Sequence, residues 1–156
     1  MDQLRSAVDA YEEQVVCVFV HRDADTPDLQ GEVEQQLQAN LRKAGIDQAH
    51  AIVPVEEIEA WWLLFPTATE KLKQSWSDTL KKQPGNVDMI SNPKHELIQR
   101  TGRNTKRDAY TEADSSKVAE RVAAAIQGGS LPSGQSNSYN RFKSSVEACC
   151  DYVHNS

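Results

Sequence analysis

The stretch VVCVFVHRDAD, residues 15–25, runs without a break from apolar, mostly β-branched side chains into two aspartates. Valine and phenylalanine favour extended backbone, and a continuous rather than alternating apolar run suits a strand covered on both faces. Residues 15–20 are therefore expected to form a strand of a parallel sheet, with Cys17 in the core. Downstream, Leu29, Val33, Leu37 and Leu41 recur every four residues, the pattern of an amphipathic helix, and Gly45 supplies a stop. A second strand is expected at residues 50–53. Strand, crossover helix and strand at this spacing make one right-handed βαβ unit, its strands adjacent and parallel and the helix over residues 29–43 on one sheet face.

The flanks are helical. Residues 2–13 place Leu4, Val8 and Tyr11 on one face. Beyond Pro54 a short helix is expected over residues 56–65, ended by Pro66. A basic helix is expected over residues 71–82 and another over 94–100, with Pro93 at its start. Residues 101–110 read as a polar loop, and 113–126 as a helix with Val118, Val122 and Ile126 inward. A Gly/Ser/Pro-rich connection covers 128–137, and Tyr139, Phe142, Val146, Cys149 and Val153 mark a last helix. Two strands alone do not make a stable open sheet, since three or more are usually needed. Further strands are thus expected from segments read as loops, from a second copy, from another chain, or from a natural amino-terminal part not included here.

The chain has 156 residues, the size of one domain, and is 38% hydrophobic and 26% charged, which argues against general disorder. No apolar run nears the length of a membrane span, the amino terminus is too polar for a signal peptide, and an odd count of cysteines fits a reducing cytoplasm. Cys149, Cys150 and His154 have near-helical spacing, but no fourth zinc ligand stands out. The net charge is −6, unevenly spread. Residues 71–107 hold nine Lys and Arg against three acids, a surplus of six, which leaves −12 elsewhere. Net acidity argues against simple polyelectrolyte binding to nucleic acid. An acidic part beside a basic part suits metal-binding carboxylates next to phosphate-binding lysines, or simply a solvated surface.

Three constellations carry chemistry. Asp23 and Asp25 stand just past a strand, at the end where open α/β sheets hold ligands, and an Asp-x-Asp turn can aim both carboxylates at Mg²⁺. The plain structural reading makes them a helix lead-in, with Asp28 as cap. Glu56-Glu57-x-Glu59 follows the second strand; Glu56 and Glu59 share a helix face, while helix-dipole stabilisation alone would account for Glu56 and Glu57. Asn92-Pro93-Lys94 puts a lysine at a helix amino terminus, an unfavourable place unless an anion such as phosphate shares it. His21 and His95 are candidate acid/base groups. No phosphate-binding Gly-rich loop or nucleophile elbow is present.

Taken in order, VVCVFVHRDAD, VPVEEIEAWWLL and NPKHELIQRT, and more weakly SNSYNRF, resemble the Toprim family of topoisomerases, primases and nucleases. A closer likeness is to small bacterial Toprim-like proteins, often linked with phage-defence or mobile-element loci. The resemblance runs from about residue 14 to 143 and implies an α/β fold: a Toprim-like parallel-sheet core with flanking helices and a helical carboxy-terminal half, forming one domain over 1–156. It implies Mg²⁺ or Mn²⁺ on Asp23 and Asp25, a supporting Glu56 or Glu59, and Lys94 on the scissile phosphate. The family pattern opens with a glutamate on an earlier strand, and only 22 residues precede Asp23.

Two functions follow as expectations. The first is a cytoplasmic, Mg²⁺-dependent nuclease in which Asp23, Asp25 and Glu59 converge on one or two cations with Lys94 facing the same cleft. Its nucleic-acid substrate stays open among DNA, RNA and tRNA. The alternative is a catalytically incomplete binding or regulatory subunit that keeps the fold and pairs with another chain or a second copy. In either case an unpaired sheet edge or an apolar patch is expected where amino-terminal strands belong, driving homodimerisation or capture of a partner.

Overall fold

A computed structural model describes residues 1–11, 17–26, 29–46, 49–69, 72–81 and 85–155. In chain order the elements are α1 (Asp2–Ala10), β1 (Val18–His21), α2 (Gln30–Lys43), β2 (Ala49–Ile52), α3 (Glu59–Trp62), α4 (Pro66–Thr69), α5 (Ser77–Leu80), α6 (Pro93–Thr101), α7 (Ser115–Gln127) and α8 (Asn137–Asn155). They group into two compact units, Met1–Val55 with Asn137–Ser156, and Glu56–Ser136.

In the first unit β1 and β2 pair in parallel, Val18 opposite Ala49 and His21 opposite Ile52. The ladder continues beyond the strands through Arg22 N–H to Ile52 O and Ala24 N–H to Pro54 O. The expected β–α–β unit is present. Residues 15 and 16 of the expected first strand lie outside the described residues. Period two sorts the side chains. Val18, Val20, Ala49 and Ala51 pack with Leu37, Leu41 and Ile46, and with Leu4 and Val8 of α1. Phe19 points the other way, stacking on His50 at 5.2 Å and meeting Phe142 of α8 edge-on at 6.1 Å. Phe19 stays 40% exposed, so β1 is half-buried and alternating, not covered on both faces as its continuous apolar run suggests. Cys17 joins Cys149 of α8 in a disulfide, a covalent tie across that side of the sheet.

The outer edge of β2 is closed by α2. The Gln38 side-chain amide donates to Ala49 O (2.8 Å) and accepts from Ala51 N–H (3.0 Å), and Gln30 donates to Val53 O (3.1 Å). These groups face away from β1, so glutamine side chains stand where a third strand would. The unpaired edge expected from the strand count is therefore sealed on this side. On the other side, alternation turns the backbone of Phe19 and His21 outward, and no described residue bonds them there.

The second unit is helical. The expected helix over 56–65 is only α3. Glu56 sits at φ 59°, outside the helical region, and Leu63 leads straight into a new turn. Pro66 begins α4 rather than ending its predecessor, because its missing N–H is harmless at a first helical position. The expected basic helix over 71–82 is broken into a 3₁₀ turn, Gln74–Trp76, followed by α5. Trp76 is fully buried there, its indole N–H donating to Asp108 O at 2.7 Å. Leu64, Leu97, Tyr110 and Val118 are likewise buried. Val118 and Val122 of α7 point inward as expected, but Ile126 in its last turn is 40% exposed.

Candidate functional site

Asp23 and Asp25 follow β1 directly, at the carboxyl end of both parallel strands. Asp23 is partly buried and shares a 3.0 Å contact with the His21 ring through Oδ1. Asp25 is exposed, has φ 65°, and makes no hydrogen bond or ion pair with another described residue. Aspartate tolerates the left-handed region better than most residues. The intervening Ala24 is 2% exposed, so the turn is pinned at its middle. Asp25, Glu56 and Asn92 are the non-glycine residues with positive φ among the described residues, and all three lie in the motifs singled out by sequence. Each such residue costs roughly 1–3 kcal/mol and persists where its surroundings hold it.

The second and third motifs meet within the second unit. Glu56 Oε2 accepts the Asn92 N–H at 2.6 Å, and Glu57 Oε2 accepts the Lys94 N–H at 2.9 Å. Asn92 Oδ1 caps α6 by accepting the His95 N–H at 3.0 Å, and Pro93 has no N–H to satisfy. The amino terminus of α6, where a phosphate was expected, thus holds two glutamate carboxylates.

The Lys94 ammonium closes the same arrangement. It donates to Glu112 at 2.9 Å and lies 3.6 Å from Glu57 Oε1. The Glu112 hydrogen bond, with the charges of Glu59 and Glu57, raises its pKa to about 12 against the opposing effect of burial. Glu112 is correspondingly held below the ordinary carboxylate range, by that hydrogen bond first and by the Lys94 charge. Glu59 is buried, 6% exposed, and accepts the Tyr110 hydroxyl at 3.0 Å. Burial pushes the Tyr110 hydroxyl up to about 12; Ser115 opposes this and the Glu59 charge adds to it. Trp62 also favours the phenolate, though its buried indole N–H meets no acceptor at hydrogen-bond geometry among the described residues.

Comparison with protein-family models, curated proteins and solved structures finds no match for this chain.

The sites divide by chemistry. Asp23 and Asp25 supply hard oxygen donors, one of them uncommitted, and Mg²⁺ is commonly held by one or two carboxylates with waters filling the remaining positions. That donor set fits. Glu56, Glu57 and Glu59 are differently placed. The first two bond the α6 backbone, the third bonds Tyr110, and the cation among them is the Lys94 ammonium. Among the described residues no three His, Cys, Asp or Glu side chains gather as a metal centre. His95 stacks its polarity locally, 2.7 Å from the Gln99 amide.

Sequence reasoning placed Asp23, Asp25, Glu59 and Lys94 around one cleft; within the second unit the Glu59 charge acts on Lys94, while the Glu59 carboxylate itself bonds Tyr110. That reasoning missed Tyr110, the last residue of a stretch read only as polar loop, and Glu112 just beyond it. A signal was present in Thr111-Glu112-Ala113-Asp114. Thr111 and Asp114 form a reciprocal capping box, which fixes the chain just after Tyr110. No described helix is long and apolar enough to cross a membrane.

Proposed function

We propose that this chain is a Toprim-like, Mg²⁺- and phosphate-binding component that is catalytically incomplete alone and works paired with a second copy or another chain. The observation that carries this reading is the contrast between the two acidic groups. Asp25 is exposed at the end of β1 and bonds no other described residue, whereas Glu56 and Glu57 accept from the backbone at the start of α6, Glu59 accepts from Tyr110, and the Lys94 ammonium pairs with Glu112 and Glu57.

In this reading Asp23 and Asp25 hold Mg²⁺ or Mn²⁺ beside His21. When bound, the ion supplies Lewis-acid stabilisation of charge on a phosphodiester. His21 orients Asp23 through their 3.0 Å contact, and the buried Ala24 keeps the two aspartates on a fixed turn. The Glu56–Glu57–Lys94 group fixes the start of α6. The outer edge of β1, where no described residue bonds the backbone of Phe19 and His21, is the place where a partner strand adds.

The second reading, hydrolysis by this chain itself as in a phage-defence nuclease, draws on Lys94. Its side chain is one-third exposed and remains charged far above neutral pH, so it can face a phosphate.

Mn²⁺ binding followed by electron paramagnetic resonance, beside cleavage of pooled DNA and RNA, separates the two. The proposal expects Mn²⁺ binding that Asp25→Asn abolishes, no cleavage by the chain alone, and light scattering that reports a dimer. Mn²⁺-dependent cleavage by a monomer, lost in Asp23→Ala, selects the nuclease instead. Mn²⁺ binding unchanged in Asp25→Asn overturns both.

A further inference from the structure

The second unit contains an open cleft of about 960 Å³ at the carboxyl end of α6. Its walls include Glu96, Gln99, Arg100, Arg103, Asn104 and Lys106. Cations at a helix carboxyl end have an ordinary explanation, since they complement the helix dipole and the last carbonyls. That explanation covers Arg100, in the last turn of α6, which is also paired with Glu96 at 2.7 Å. It does not cover Arg103 and Lys106. Both lie beyond the helix, both are exposed, and neither side chain bonds a described residue. Arg107 continues the series, also exposed.

The shape of this segment is fixed. Gly102 closes α6 by donating to Ile98 O at 2.9 Å, and a Cβ there would come within 3.1 Å of the Ala109 side chain, so the returning chain passes close. Asn104 donates to Ser75 O at 3.3 Å, and the Asp108 carbonyl holds the buried Trp76. Arg103 and Lys106 are therefore presented from an anchored loop. The described lining sets these amides and cations beside Thr79 and the apolar Ile98 and Ala109, its one carboxylate, Glu96, is paired with Arg100, and it holds no aromatic ring, so it offers phosphate oxygens donors and bases nothing to stack on.

We propose that this cleft seats the phosphodiester backbone of a nucleic acid, without regard to base sequence, through Arg103 and Lys106 with Gln99 and Asn104 as neutral donors. The seat is independent of Asp23 and Asp25 and needs no metal.

Fluorescence anisotropy of labelled DNA and RNA oligonucleotides, in chelator and across a salt series, tests it. Binding should weaken steeply with salt. Arg103→Ala with Lys106→Ala should lower the magnitude of the log–log salt slope by about two and weaken binding at least about tenfold. Lys117→Ala on the exposed face of α7 removes one charge away from the cleft and should leave the slope unchanged. Melting curves of the variants should match the parent, because both side chains are exposed and bond no described residue. The proposal is overturned by no binding at low salt, by an unchanged slope in the double variant, or by an equal loss in Lys117→Ala. Displacement by inorganic triphosphate at equal phosphate concentration also overturns it, marking a small-anion site instead. Since the assay excludes metal, its failure leaves the Asp23–Asp25 reading untouched, and failure of Mn²⁺ binding leaves this one untouched.

Discussion

Glu57 holds Lys94 at both ends: one carboxylate oxygen accepts the Lys94 backbone N–H at 2.9 Å, and the other lies 3.6 Å from its ammonium. One side chain thereby satisfies an orphan amide of α6 and pairs the charge that the same residue brings to a helix amino terminus. Glu57→Ala removes both. Loss of an amino-terminal cap costs about 0.5–2 kcal/mol, and the partly exposed ion pair adds little. The melting temperature should fall accordingly in a thermal scan followed by circular dichroism. Glu57→Gln keeps an acceptor oxygen for the amide and should recover most of the loss. Equal melting of both variants and the parent would show that the contact does not support the helix.

The Lys94–Glu112 pair fixes a pH window. Lys94 has a folded pKa near 12, above the 10.5 of the free side chain, so its contribution is complete below about 10.5 and disappears as pH rises through 12. Glu112 is held below its ordinary 4.5, so its contribution is present above 4.5 and is lost as acid protonates it. The pair is intact between these limits. In Glu112→Gln, the Lys94 ammonium followed by NMR should titrate at lower pH than in the parent. An unchanged titration would mean that Glu57 and Glu59 carry the shift by themselves.

Tyr110→Phe isolates the buried bond to Glu59. The carboxylate is 6% exposed and would lose its described donor, a change worth about 1–3 kcal/mol. Because the phenol stays protonated up to about pH 12, the loss should be the same at pH 6 and pH 9. Urea denaturation at the two pH values measures it, and a loss that varied between them would assign the effect to another group.

The β1–α2–β2 unit was legible because two independent periodicities, a β-branched run and the four-residue stripe of Val33, Leu37 and Leu41, agree on it. The covering of β1 was not. A continuous apolar run does not say whether each face finds a partner, and Phe19, with its ring against His50 and Phe142, still stays 40% exposed. The short helices after Val55 escaped for a backbone reason. Glu56 takes a left-handed φ that no propensity favours, supported by its bond to Asn92 N–H. Of the candidate site, residue identities were readable, but their engagements were not: Glu56, Glu57 and Glu59 look alike in sequence, and only tertiary contacts give two to α6 and one to Tyr110.

Gln38 shows how a polar helix residue can stand in for a strand. It adjoins Leu37 on α2, and its amide bonds both Ala49 O and Ala51 N–H and closes the β2 edge. Gln38→Glu keeps the acceptor but replaces the donor with an oxygen facing a carbonyl. Gln38→Ala removes both partners and exposes a ladder beside a small-residue strand. Both variants should lose about 1–3 kcal/mol in urea denaturation, from backbone groups left unmet. Their association should differ. Gln38→Ala offers an edge that another strand can fill, so light scattering should show concentration-dependent oligomers beyond those of the parent. Gln38→Glu places a charge at that edge and should stay at the parental size. If Gln38→Ala remains at the parental size and stability, the β2 edge finds cover without Gln38, and the glutamine contacts are not what closes the sheet.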